Sequence, residues 1–210
     1  MSIINEDDKD DLAKLLSTMV DPVVLVVFSR EDCSLCPETL QICKELAKLG
    51  KKLSVEHYNL EKNTKEAKRY AVDKAPAIVV QGPKGNGIRF YGVPAGFEFK
   101  SLVEDILDAS KGSTSLSQTT RDALVSLDRD VRIEVFVTPT CPHCPGMVRL
   151  AHMFAVESPH VKADAVQSAE FPGLAMHYRI MGVPSVVVNG SKSFEGLQPE
   201  SVLLKKIMEI

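Results

Sequence analysis

"VRIEVFVTPTCPHC", Val131 to Cys144, lies over "VVLVVFSREDCSLC", Val23 to Cys36, when the chain is shifted by 108 residues. Phe136 falls on Phe28, Cys141 on Cys33 and Cys144 on Cys36. A second landmark keeps the register: Pro184 in "MGVPSVVV" and Pro76 in "KAPAIVV" are also 108 residues apart, and each stands 43 residues after the first cysteine of its half. Two independent landmarks in one register mark an internal duplication.

Element signals repeat with it. The first half shows helical spacing in Leu12, Leu15 and Leu16, then an apolar run to Phe28. A helix "PETLQICKELAKLG" follows the cysteines, with Gly50 as its C-cap signal. "KLSVEHYNL" alternates as a strand, "TKEAKRYAV" reads as a short helix and "PAIVVQGPKGNGIRFYG" as a hairpin, before a helix over about residues 97–109. "SKGSTSLSQ", Ser110 to Gln118, reads as a linker. The order then recurs, through a hairpin with an Asn189-Gly190 turn to a last helix "PESVLLKKIMEI". The expected class is α/β: two tandem units, residues 1–115 with CSLC and 116–210 with CPHC, each a mixed four-stranded sheet flanked by helices.

Net charge of -3, 44% hydrophobic residues and basic side chains interleaved with acidic ones argue against a nucleic-acid partner. The start "MSIINEDDKDDLAKLL" lacks the basic and apolar regions of a secretory signal, and the longest apolar run, Pro22 to Phe28, is too short for a bilayer. No membrane association and a cytoplasmic location are expected, where a permanent disulfide is the less common use of a thiol.

A CxxC at a strand-to-helix junction has three possible uses: a metal knuckle, a staple or electron transfer. At a helix N-terminus the first thiol is favoured as thiolate, the nucleophile of disulfide exchange; it attacks a partner disulfide and the second thiol resolves the mixed disulfide. In the second copy Pro142 suits a first helical position, and His143 stabilises the Cys141 thiolate and so the reduced form. In the first, Ser34 and Leu35 intervene and Glu31 and Asp32 precede Cys33, which predicts a less acidic thiol and a more reducing disulfide. A four-cysteine zinc site is disfavoured because 104 residues separate Cys36 from Cys141. Cys43 reads as a buried apolar residue, and His57, His152, His160 and His177 as surface or packed residues.

The CxxC on a βα turn, the proline 43 residues on and the hairpin after it resemble the thioredoxin fold. Two such units resemble the protein disulfide oxidoreductases of thermophilic archaea and bacteria, glutaredoxin-like proteins with two thioredoxin-fold units; "CPHCPGMVRLAHMFA" and "MGVPSVVV" carry most of the likeness. That resemblance implies Cys33 and Cys141 as nucleophiles and Cys36 and Cys144 as resolving residues. It makes Pro76 and Pro184 cis, with the backbones of Ala75 and Val183 binding substrate as a short strand. The implied redox groups are the disulfides Cys33/Cys36 and Cys141/Cys144, with no bound cofactor or metal. The implied partners are protein thiols and disulfides and a thioredoxin-reductase-like flavoprotein as electron donor. The chain departs from thioredoxins proper in having Val27 and Val135 where a buried Asp precedes the first cysteine by six residues, and in having no Trp. An electron carrier between a flavoprotein reductase and a peroxidase, or a peptide-binding module with structural disulfides, are the competing readings.

Overall fold

The computed structural model describes residues 3–209, the side chain of residue 86 excepted; residues 1, 2 and 210, the outer ends of the two expected units, lie outside the described residues. Apolar alternation builds the sheet. In β1 (Val23–Ser29), Leu25 and Val27 enter one core cluster while Val26 and Phe28 enter another, and all four are completely buried. The first half continues with α1 (Glu6–Ser17) before that strand, then α2 (Cys36–Leu49), β2 (Leu53–Asn59), α3 (Thr64–Tyr70), β3 (Ala77–Gly82), β4 (Gly85–Tyr91) and α4 (Phe97–Lys111). The second half is α5 (Gln118–Val125), β5 (Val131–Val137), α6 (Cys144–Glu157), β6 (Val161–Gln167), α7 (Pro172–His177), β7 (Ser185–Val188), β8 (Ser191–Glu195) and α8 (Glu200–Met208). The expected α/β order is present in both halves.

The sheets are joined. One eight-stranded sheet, β2-β1-β3-β4-β6-β5-β7-β8, replaces the two separate four-stranded sheets expected. The seam is a parallel pairing of β4 with β6, from Ile88 opposite Ala163 to Tyr91 opposite Val166. Duplicated sequence has therefore become unequal structure: β2 and β8 are edges, whereas β4 and β6 are central. Side-chain size permits this. In β6, Ala163, Ala165 and Val166 are all buried, and at Gly87 a Cβ would come 2.8 Å from the Val161 carbonyl oxygen. The register also places Arg89 opposite Asp164; Arg89 Nε donates to Asp164 Oδ1 at 2.5 Å and Arg132 Nε to Oδ2 at 2.8 Å. Both members of the Arg89–Asp164 pair are buried, so each compensates a charge that would otherwise be costly to hold away from water.

Helices α1, α2, α4, α5, α6 and α8 send apolar side chains into the core on one face, among them Leu16, Leu46, Ile106, Leu124, Phe154 and Leu203. The other face is covered by α3 and α7 through residues such as Tyr70 and Leu174. Two local expectations change. Gly50 is extended (φ −115°), not left-handed; it is small because a Cβ there would lie 3.2 Å from Leu16 Cβ. The stretch from Ser110 to Gln118 is a packed turn rather than a flexible tether. Ser110 ends inside α4, Thr114 N donates to Glu157 Oε1 at 2.7 Å, Leu116 is buried and Ser117 caps α5.

Candidate active sites

Both cysteine pairs occupy one edge of this sheet. β1 and β5 are parallel in the common sheet, so Cys33 and Cys141 follow strand ends on the same side, four inter-strand spacings or about 19 Å apart. That separation prevents the four sulfurs from converging on a single ion. Cys33 is disulfide-bonded to Cys36 with Cα atoms 5.4 Å apart, and Cys141 to Cys144 at 5.5 Å. In each pair the second cysteine is the first helical residue, of α2 and α6 respectively.

The helix thus begins later than the sequence reading has it. Pro142 precedes α6 and is exposed, Pro145 takes the early helical position, and His143 (φ −93°, ψ −15°) lies just before Cys144. Those angles suit the third residue of a type I turn, and proline's fixed φ suits the second, so Pro142 serves the turn that carries the first sulfur rather than the helix. The thiol groups still face the N-terminal end of α6, where backbone N–H groups lack partners.

Pro76 and Pro184 are both cis, and each opens the strand beside its cysteine turn, β3 and β7. Cys141 Sγ lies 3.7 Å from the carbonyl oxygen of Val183. At the other pair, Cys33, Ala75 and Pro76 line one cavity of about 170 Å³. Every sequence-predicted site residue therefore falls at one of two places, with Cys33, Cys36, Ala75 and Pro76 at the first and Cys141, Pro142, His143, Cys144, Val183 and Pro184 at the second.

The charges around them correct one expectation. Glu31 is paired with Lys62 at 2.5 Å and Asp32 with Arg30 at 3.1 Å, both acids exposed, so their fields at Cys33 are largely neutralised and screened. The acid that does distinguish the helices is Glu38, in the first turn of α2; α6 has no acidic residue there. His143 is exposed, whereas Cys144 is completely buried and Cys141 nearly so, with 9% exposure.

Val27 and Val135 are fully buried, leaving no carboxyl at the strand position that thioredoxins use. A different carboxyl stands at the second site. Glu98, in the first turn of α4, is 1% exposed, and neither of its oxygens has a well-formed hydrogen-bond partner. Its turn abuts the approach to the CPHC pair: Phe97 N donates to the Pro139 carbonyl at 3.3 Å, and a Cβ on Gly96 (φ +61°) would clash with that oxygen. Burial pushes the Glu98 carboxyl up to about 7, partly countered by the Ser101 hydroxyl. A signal existed: Glu98, Leu102, Asp105 and Ile106 share the apolar face of α4, and a charged residue on such a face needs a reason.

Cys43 is buried and free, and burial pushes its thiol well above the ordinary range, in keeping with a packing role. Among the histidines, His152 is packed rather than exposed; its Nδ1 donates to Asp105 Oδ2 at 2.6 Å, and burial followed by the Arg149 charge pushes it down to about 3. Arg149 in turn contacts Asp105 and Asp108, which ties α6 to α4. No helix among the described residues is long and apolar enough to cross a membrane.

A family model described as a thioredoxin domain matches residues 131–209. Among solved structures, a protein disulfide oxidoreductase from Aeropyrum pernix is 34% identical, with a TM-score of 0.90 over 97% of this chain and 91% of its own. The NTD_N/C domain of alkylhydroperoxide reductase AhpF from Enterococcus faecalis is 26% identical, with a TM-score of 0.89 over 97% of this chain and 99% of that domain. Of curated proteins, the alkyl hydroperoxide reductase protein AhpF of Escherichia coli is 27% identical over 206 residues, which is 98% of this chain and 37% of that protein. The chain spans a little over a third of the length of the curated relatives it matches.

Proposed function

This chain belongs to the protein disulfide oxidoreductases built of two thioredoxin-fold units, and on that premise we propose that it exchanges disulfides with protein substrates at two sites, in units 1–115 and 116–210. The observation that carries the reading is the duplicated constellation: a bonded CxxC at a strand-to-helix turn with a cis proline opening the neighbouring strand. Cys141 and Cys33 are the nucleophiles. In the reducing direction the Cys141 thiolate attacks a substrate sulfur and expels the other as thiolate. Cys144 then loses its proton and attacks Cys141, closing the disulfide and releasing the second substrate sulfur. Cys33 and Cys36 act in the same way. Ala75 and Val183 offer backbone groups along which an extended substrate segment adds as a strand.

Glu98 is the acceptor for the proton of the CPHC dithiol, because a buried carboxyl raised to about 7 both takes and returns a proton near neutrality. His143 stabilises the Cys141 thiolate and makes this disulfide the stronger oxidant of the two. The electron donor is a thioredoxin-reductase-like flavoprotein. Replacing both nucleophiles, Cys33→Ser with Cys141→Ser, tests the reading: reduction of insulin disulfides is lost, and survival of that activity refutes it. The alkyl hydroperoxide reductase relatives favour a second reading, relay of electrons between a flavoprotein reductase and a peroxidase. Reduction of a peroxidase disulfide much faster than insulin would favour it.

A further inference from the structure

The cavity beside Cys33 is built partly by the other half of the chain. Cys33, Ser34, Ala75 and Pro76 line it from the first half, and Glu170, from the loop between β6 and α7, lines it from the second. Three features hold Glu170 there. Val93 N donates to its Oε1 at 2.9 Å, and Glu170 N donates to the Gln167 carbonyl at 3.1 Å. Between them Gly92 (φ +98°) makes room, since a Cβ would lie 2.8 Å from Glu170 Oε1 and 2.6 Å from Gln167 Cβ. The second carboxyl oxygen, Oε2, is buried without a hydrogen-bond partner. Thus one oxygen anchors the side chain while the other is uncommitted, beside a dithiol whose own strand provides Val27 in place of an acid.

The geometry points to Glu170 as the proton-exchange group of the Cys33–Cys36 pair, supplied across the β4–β6 seam by the C-terminal half. This rests on the reading that the first pair is redox-active. With the Cys33 thiolate joined to a substrate sulfur, Cys36 S–H gives its proton to the Glu170 carboxylate, the Cys36 sulfur attacks Cys33, and the substrate's remaining sulfur leaves as thiolate. The dithiol is oxidised by two electrons, the substrate disulfide is reduced by two, and the proton passes from Glu170 to the departing thiolate or to water. Burial, and after it the Glu38 charge on α2, raise the Glu170 carboxyl while the Val93 N–H opposes them, which brings proton exchange closer to neutral pH. The other charged groups on the cavity, Arg30 and Asp32, are paired with one another. Sequence offers no hint of the role, because the residue 108 positions earlier is Lys62, which pairs with Glu31 on the surface.

The test uses the full chain with one pair silenced at a time. In Cys141→Ser/Cys144→Ser protein, Glu170→Gln retains an acceptor for Val93 and is expected to slow insulin reduction about 10-fold and to flatten its pH dependence. In Cys33→Ser/Cys36→Ser protein the same substitution leaves the rate unchanged. An unaltered rate and pH profile at the first pair, or an equal loss at both pairs, overturns the inference. A first pair that forms no mixed disulfide with insulin overturns the redox reading of that pair and this inference together; a pair that reacts but ignores Glu170→Gln overturns the inference alone.

Discussion

The two cysteine turns share strand, turn, helix and cis proline, yet they sit in different electrostatic surroundings. Around Cys33 the acids adjacent in sequence are paired with bases, while Glu38 on α2 and Glu170 from the opposite half remain. Around Cys141 the helix start has no acid, His143 stands between the sulfurs, and the buried carboxyl is Glu98. A duplicated motif therefore does not make duplicated chemistry: neighbours brought in by the fold, rather than neighbours along the chain, set each thiol's acidity.

The widest gap is expected between single nucleophile variants. Cys141→Ser should lower insulin reduction by more than about 10-fold and Cys33→Ser by about 2-fold, since a nucleophile cannot be replaced in the covalent step; equal losses would erase the ranking. Next, Glu98→Gln should slow the CPHC site about 10-fold and remove the rise in rate as pH passes through about 7, measured in protein lacking Cys33 and Cys36. The same substitution has an opposite effect on stability. Because the folded-state carboxyl is raised to about 7, the folded protein holds a proton that the unfolded chain has lost, and stability declines as pH rises from the ordinary carboxylate range through that value. Glu98→Gln should accordingly gain about 2 kcal/mol at alkaline pH by denaturant titration.

A smaller effect belongs to the residues between the sulfurs. Exchanging Pro142-His143 for Ser-Leu should lower the CPHC potential by about 30 mV, a tenfold change in the equilibrium constant. Thiol trapping at fixed glutathione ratios reads this, and a potential that does not fall removes His143 from the account. The smallest effect should come from Glu31→Gln with Asp32→Asn. Exposed, paired charges are worth little, so the Cys33/Cys36 potential should move by less than about 10 mV. A larger movement would restore the local-sequence explanation over the one based on Glu38 and Glu170.

Local rules made much of this fold legible. "VRIEVFV" is β5 from end to end, and the Asn189-Gly190 turn has both residues at positive φ, 45° and 77°, as a two-residue hairpin turn with right-handed strand twist requires. The 108-residue register located both pairs and both cis prolines. What escaped is long-range. Joining β4 to β6 depends on the small residues Gly87, Ala163 and Ala165 and on Arg89 facing Asp164, which are 75 residues apart in sequence. Gly50 was ambiguous because close packing and a left-handed cap both select glycine. Glu98 left a trace as a charge on an apolar helix face, but Glu170 left none, since nothing in a loop's sequence announces which cavity it will reach.

The seam between β4 and β6 also governs how the molecule comes apart. Cut between the halves, each piece would present a full-length inner strand as a bare edge, with unpaired backbone groups available to any other chain, and would strand either Arg89 or Asp164 without its opposite charge. Separated halves are therefore expected to aggregate, while the intact chain should unfold in one cooperative transition with fluorescence and circular dichroism midpoints that coincide. Duplication supplied two units; fusing their sheets made them inseparable.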